Sequence, residues 1–557
     1  MRKSKNDDPR LAILNRRLGR RALLRGAMGA GVGLTALYVV GCGDDDDAEG
    51  TPTPGGTTTA TATPADTGPV APTGRVVFGV GGTGPAIDPG TLRTAPAAML
   101  YFAIWDPMVF LDPFSGEIQP WLAESWNQVD DTTVDFKLKS GISFHNGREL
   151  TADDVVFSLD RLLDANQNEG LTAASTVAPL DHAEAIDPQT VRVISQDPNP
   201  FIDRLMSRLF ILPKDEFAAA GSAEAFFANP IGTGPFEYES FEPEGHLEVR
   251  AAETAWRTPK LAEVRFQALT SEAARVQALQ SGDADMIEGV PPDQVSVLEG
   301  QGFTIDSALQ AANYALDAFG PADTPHAIKE VRQAIYHAID WQSIVDNLYS
   351  GLAEVGNGLI GGSNSFGWEN DSAPYEFNPQ KSRQLLEAAG FPNGFSTSMQ
   401  ASRGFLPADV AAAESIVTFL RDVGIDSSLE TLDFSTFVGF YVSTYEDGRA
   451  PLMAHRQSYD ITLEVGTRLR LFSDEVSSHP YNWDSPEFDA LFDTANSAID
   501  LVEREEAVLE ANRLIRDEAI SYAAMYLPHV VASKTSVSGV TPQPDAMVLM
   551  DGVSISA

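Results

Sequence analysis

FKLKSGISFHNGRELTADDVVFSLDRL, residues Phe136–Leu162, carries in one run the pattern on which the whole body is built. Val134, Phe136 and Leu138 alternate with Asp135 and Lys137, the period-two signature of a strand with one buried face. SGISFHNG then turns the chain. Thr151 stands where a helix opens, with Asp154 three residues on at capping-box spacing, and Val155, Val156, Leu159, Leu162 and Leu163 give the helix its apolar face. Asp153 and Asp154 therefore read as capping residues and not as a catalytic acid pair, and His145 and Asn146 are assigned no ligand role.

The same pattern recurs outward from this stretch. VRQAIYHAIDWQSIVDNLY (Val331–Tyr349) predicts a helix ending near Ile339, with Asp340 placed to cap the next. In NPQKSRQLLEAAGF (Asn378–Phe391), Asn378 caps, Pro379 takes the first helical position, where its missing N–H is harmless, and Gly390 stops the helix. Strand-like LAEVRFQAL (Leu261–Leu269) and FSTSMQA (Phe395–Ala401) alternate with these helices, which predicts α/β domains. RVVFGV (Arg75–Val80) reads as a buried first strand. Gly79, Gly81 and Gly84 after it match the G-x-G-x-x-G spacing, but Pro85 and Asp88-Pro89 fall where a helix would have to receive a pyrophosphate, so the dinucleotide reading fails. These glycines shape a loop at the end of the strand.

At the N-terminus, Arg20 and Arg21 followed by the short apolar, Gly-rich stretch Gly26–Gly41 read as a twin-arginine export signal over residues 1–41. Sixteen residues are too few to span a hydrocarbon core of about 30 Å as a helix. Val39-Val40-Gly41-Cys42 resembles a lipobox, and Cys42, the only cysteine of the chain, is the expected lipidation site. Residues 42–74, with an acidic run and a Thr/Pro-rich tract, predict a solvated tether reaching on the order of 30 Å. Residues 1–42 carry nine Lys/Arg and two Asp/Glu, leaving 29 basic against 77 acidic side chains and a net charge of −48 beyond Cys42. Such a field opposes nucleic acid and anionic lipid alike. No run of 18 apolar residues follows the first fifty.

Five segments, FKLKSGISFHNGRELTADDVVFSLDRL, IGTGPFEYESFEP (Ile231–Pro243), ARVQALQSGDADM (Ala274–Met286), VRQAIYHAID (Val331–Asp340) and YEFNPQKSRQLLEAAGF (Tyr375–Phe391), in this order behind a lipobox, resemble the dipeptide and oligopeptide-binding family of extracytoplasmic solute-binding proteins of ABC importers. The resemblance covers nearly all of residues 75–557. It implies two lobes joined by a hinge: lobe one from 75–111, 228–306 and 523–557, a subdomain over 112–227, and lobe two over 307–522. It also implies a monomer at the outer face of the cytoplasmic membrane, held only by its lipid, that closes on a small, peptide-like solute and presents it to an importer permease. No cofactor or metal is implied. Relatives carry peptides, nickel chelates, haem, oligosaccharides and opines on this scaffold, so the ligand stays open.

By the same resemblance the ligand lies between the lobes, against Asp88, Thr94 and Tyr101 and against Asp317, where relatives often carry Asn. Each of these also reads as an ordinary loop or core residue. Peptide-binding relatives usually show a Trp followed closely by Asp in an Asp-Pro-rich loop, whose carboxylate takes the peptide ammonium. The matching stretch here, PLMAHRQSYDITLEVGTRLRLFSD (Pro451–Asp474), has neither Trp nor Asp-Pro. His455, Arg456, Gln457 and Tyr459 stand near the place, and Asp460 takes the ammonium role after a small shift in register. Arg468 and Arg470 follow; they suit anionic groups, or they pair with surface acids. An enzyme is the rival class, but H-E-x-x-H, Walker A and G-x-S-x-G are absent and the eight His never pair at metal-ligand spacing. A non-transport surface lipoprotein would need no two-lobed body.

Overall fold

Two strands of unusual length decide the architecture. Thr304–Ala318 and Ser521–Ser533 run antiparallel at the centre of an eleven-stranded sheet and belong to both of its halves. The computed structural model describes residues 71–91, 95–164, 170–362, 365–369, 372–403, 406–441, 448–457, 469–473 and 483–556. The export signal, Cys42 and most of the tether lie outside them.

From one edge the sheet runs Ile425–Asp433, Phe395–Arg403, Leu452–Gln457, the two long strands, Met286–Glu288, Arg75–Val80, Glu263–Ala268, His246–Ala251 and Phe236–Glu242, with Glu354–Gly358 added on Ser521–Ser533. The long strands pair from Thr304↔Ser533 to Leu309↔Pro528, then again from Asn313↔Tyr526 to Asp317↔Ser521. Between the two stretches residues 310–312 stand opposite Leu527 alone, so the ladder is broken where the chain passes from one half to the other. Each half carries its own core. Val76, Phe78, Val264, Phe266, Leu247 and Val249 pack with the helix Ala95–Ile104 on one side; Tyr314, Leu316, Val331, Ile335, Ile416 and Met399 form the second core. The α/β class and the two-part body expected from the sequence are present.

A four-stranded antiparallel sheet, Ala123–Asp130, Thr133–Leu138, Thr190–Ser195 and Leu180–Asp187, adds to the first core. Val134, Phe136 and Leu138 bury the face their alternation predicted, and Asp135 pairs across the sheet with Arg192 at 2.7 Å. The helix Ala152–Leu163 opens as expected: the Asp154 carboxylate accepts the Thr151 N–H at 3.0 Å. It also receives Arg148 at 2.7 Å and the Lys214 N–H at 2.9 Å, so this cap is a junction of three segments. Asp340 caps Trp341–Leu348 through the Ser343 N–H, and Asn378 caps Pro379–Ala388 through the Lys381 N–H.

The IGTGPF segment is explained by close approach. A Cβ on Gly232 would stand 1.9 Å from the Ile104 carbonyl oxygen, and one on Gly234 2.6 Å from the Ile104 carbonyl carbon, so only glycine lets this backbone lie on the helix end. His145 Nδ1 accepts the Gly232 N–H at 3.2 Å; the proton is thus on Nε2, which donates to the Gly234 carbonyl at 3.1 Å. Between the glycines Thr233 donates to Asp106, a fully buried carboxylate that also receives both Trp121 Nε1 and Trp256 Nε1 and pairs with Arg257 at 2.7 Å.

Candidate functional site between the lobes

In the second half of the sheet, alternation sorts the long strand into two faces. Tyr314, Leu316 and Ala318 point into the core. Asn313 and Asp317 therefore project to the opposite face, as does His455 on Leu452–Gln457, whose register pairs Ala315 with His455 and Asp317 with Met453. There the His455 Nε2–H donates to Asp317 Oδ2 at 3.0 Å, and the Ser521 hydroxyl donates to Asp317 Oδ1 at 2.5 Å. Both members of the ion pair are buried, and the Phe437 ring lies 5.8 Å from the imidazole. Burial pushes the Asp317 carboxyl up. The His455 charge, the hydrogen bonds from His455 and Ser521, and the Arg449 charge outweigh it and hold the group below its ordinary range.

Asn313 stands beside the break in the ladder and is fully buried, yet neither its amide oxygen nor its nitrogen has a hydrogen-bond partner. Such a group costs roughly 1–3 kcal/mol.

The loop after the first strand holds the other expected residues. Asp88 accepts the Gly90 N–H at 2.8 Å, and both of its oxygens are taken by Arg161, at 3.1 Å and in a second, shorter contact. Arg161 comes from the helix Ala152–Leu163, so this buried pair ties the loop to the four-stranded sheet layer. Tyr101 lies on the helix Ala95–Ile104, with its hydroxyl 3.3 Å from Thr91 Oγ1 and its ring edge-on to Phe210 at 6.0 Å. Burial raises its pKa above the ordinary phenol value. Thr94, Tyr459, Asp460 and Arg468 lie outside the described residues. Arg456 and Gln457 continue the His455 strand, where only their backbone is described, and Arg470 is exposed in a short turn, Arg470–Phe472.

The expected residues thus fall into two groups, one on the first-strand loop and one on the long strands. Partners that the sequence did not single out complete both. Arg161 had a visible signal, a cation beside the apolar positions Val155, Leu159 and Leu162 of its helix. Ser521 and Arg449 had none: Ser521 reaches Asp317 only through pairing of strands some 200 residues apart, and the Arg449 charge acts on it from about 130 residues further along the chain. Among the described residues no cluster of His, Cys, Asp and Glu could hold a metal ion, and no helix is long and apolar enough to cross a membrane.

Two cores on one sheet, joined by two long shared strands, make a two-lobed α/β body. Residues 117–476 match the bacterial extracellular solute-binding proteins, family 5 (middle region), and the chain belongs to that family. It is 26% identical over 447 residues, 74% of this chain and 82% of the relative, to the dipeptide-binding protein of Escherichia coli K12. It is 28% identical over 371 residues, 64% of this chain and 70% of the relative, to the glutathione-binding protein GsiB of Shigella flexneri. In three dimensions it is similar to the ABC transporter substrate-binding protein CtaP of Listeria monocytogenes, with a TM-score of 0.78 at 22% identity over 87% of this chain and 100% of the other. These relatives are binding proteins by name, not enzymes.

Proposed function

We propose that this chain captures a peptide or peptide-like solute between its lobes, without turnover, and delivers it to an ABC importer permease, with lobe limits as expected above. The observation that carries the reading is the broken ladder between the long strands: two cores joined by strands with a gap at residues 310–312 can rotate while each core stays packed. A solute touching both lobes stabilises the closed arrangement in proportion to its differential contacts there.

The reading of the ligand follows from what Asp317 does. With His455 and Ser521 on its two oxygens, this carboxylate is committed to the protein and is a poor receptor for a peptide ammonium. Arg456, Gln457, Tyr459 and Asp460 follow on the same segment and are the residues proposed to read the ligand, with Thr94 and Tyr101 opposite; Asp88, both of whose oxygens are held by Arg161, is committed to the protein as Asp317 is. Longer or blocked peptides are therefore expected to bind better than free dipeptides. Calorimetry against dipeptides, longer peptides, N-acetylated peptides and oligosaccharides checks this. Tight dipeptide binding that disappears on N-acetylation would contradict it, and binding of oligosaccharides alone would overturn the peptide reading.

Export by the twin-arginine route and acylation at Cys42 belong to the same proposal, supported by Arg20, Arg21 and the single cysteine behind the apolar stretch. Two acyl chains suffice for stable attachment where one is marginal. Cys42→Ala is expected to move the protein from the membrane to the soluble fraction; sedimentation with membranes as for the parent would remove the lipid anchor from the proposal.

A further inference from the structure

Phe201 follows the strand Thr190–Ser195 and precedes the short helix Ile202–Met206. Ile202 and Met206 pack into the first-lobe core, but the Phe201 ring is not part of that core. It is only 7% exposed all the same, because residues of the other lobe cover it. The Arg504 guanidinium lies 3.3 Å from its ring centroid, the Phe366 ring stands edge-on at 5.8 Å, and Arg204 lies 6.0 Å from each of the two rings. Arg504 belongs to the helix Leu501–Asp517, and Phe366 packs against the second-lobe cluster that includes Phe472, Phe488, Val508 and Ile515. Arg504 is 3% exposed. A guanidinium over a phenyl face gains most when it is desolvated, as here, and the edge-on ring pair adds its own attraction.

None of these residues lies on the long strands, and the contact needs no solute. We infer that Phe201, Arg504 and Phe366 form a clasp between the four-stranded-sheet layer and the second lobe that favours closure of the ligand-free protein. The hinge supplies the freedom to open, and the clasp biases the equilibrium against it. Entry of any solute then waits on release of Phe201, and exit is slowed by its return. The clasp holds whatever solute is carried, so its test is made without one.

In a full-length Cys42→Ala background no other cysteine is present, so Ile186→Cys on the strand Leu180–Asp187 and Asp426→Cys on Ile425–Asp433, both exposed, accept a dye pair cleanly. Protein stripped of solute by unfolding and refolding is followed by single-molecule energy transfer. The parent is expected to populate mainly one closed state. Phe201→Ala and Arg504→Gln should each shift the closed-to-open ratio at least about tenfold, and the double variant no further than the larger single shift, because both remove one interaction. If Phe201→Ala fails to fold, Phe201→Leu, which keeps an apolar side chain but loses the π face, should give the same shift. A parent that is already open without solute overturns the clasp. So do variants that melt lower with an unchanged transfer distribution, which would make Phe201 a packing residue of a rigid interface. Neither outcome touches peptide binding, which calorimetry decides separately.

Discussion

Replacing Asp106 by alanine is expected to lower the stability of the first lobe by about 3–5 kcal/mol, the cost of taking from a buried cation the more deeply buried of its two carboxylates. The carboxylate is fully buried and accepts from four groups that come from three separate parts of the chain: Trp121, Thr233, and the neighbours Trp256 and Arg257. Arg257, which also reaches Asp551 at 2.7 Å, lies over the Trp121 ring at 4.5 Å and cannot turn to solvent without breaking that stack. Both indole N–H groups would be stranded as well, at a further cost of order 1 kcal/mol each. For a lobe of this size the melting temperature should fall by roughly 6–20 °C. Scanning calorimetry, with tryptophan emission as a second probe, checks it. A variant melting within a degree or two of the parent would show that water, not Asp106, satisfies these donors.

The second large effect is expected at Asp317, and there two substitutions separate charge from hydrogen bonding. Asp317→Ala strands the buried His455 and the Ser521 hydroxyl together and is expected to cost about 3–5 kcal/mol. Asp317→Asn keeps an acceptor for one of them and removes the charge; its expected cost is about 1 kcal/mol. The family resemblance, with Asn frequent at this place, points the same way. The carboxyl is held below its ordinary value of 3.8 in the folded state, so its contribution is fully present above that value and is lost as the pH falls through the lower folded pKa. The parent should therefore lose stability through this group as the pH falls below about 4, and Asp317→Asn should lose less over the same range. Equal melting temperatures for the alanine and asparagine variants, or identical acid profiles for Asn and parent, would mean that the buried pair contributes nothing to the joint.

Local elements were legible because their causes are local. Alternation along Val134–Leu138 buries one face wherever the strand sits, and Asp154, Asp340 and Asn378 accept N–H groups three or fewer residues away, within reach before any tertiary contact forms. IGTGPF was recognisable as a motif but not as chemistry: its glycines are required by the carbonyl of Ile104, some 130 residues earlier, and nothing near them in sequence announces that neighbour. The same holds for the candidate site. The resemblance offers Asp88 and Asp317 as residues facing a ligand, and each has partners that arrive from distant segments, Arg161 in one case and His455 with Ser521 in the other.

What the sequence determines by itself is thus the class of fold, the order of its strands and capped helices, and the family, since hydrophobic period and capping act over spans of a few residues. Which carboxylates are consumed in ion pairs, where the central ladder breaks, and that Phe201 is covered by the opposite lobe are decided only by the tertiary structure. The register of two strands more than 200 residues apart, and the docking of one lobe on the other, set those distances, and no local pattern encodes them.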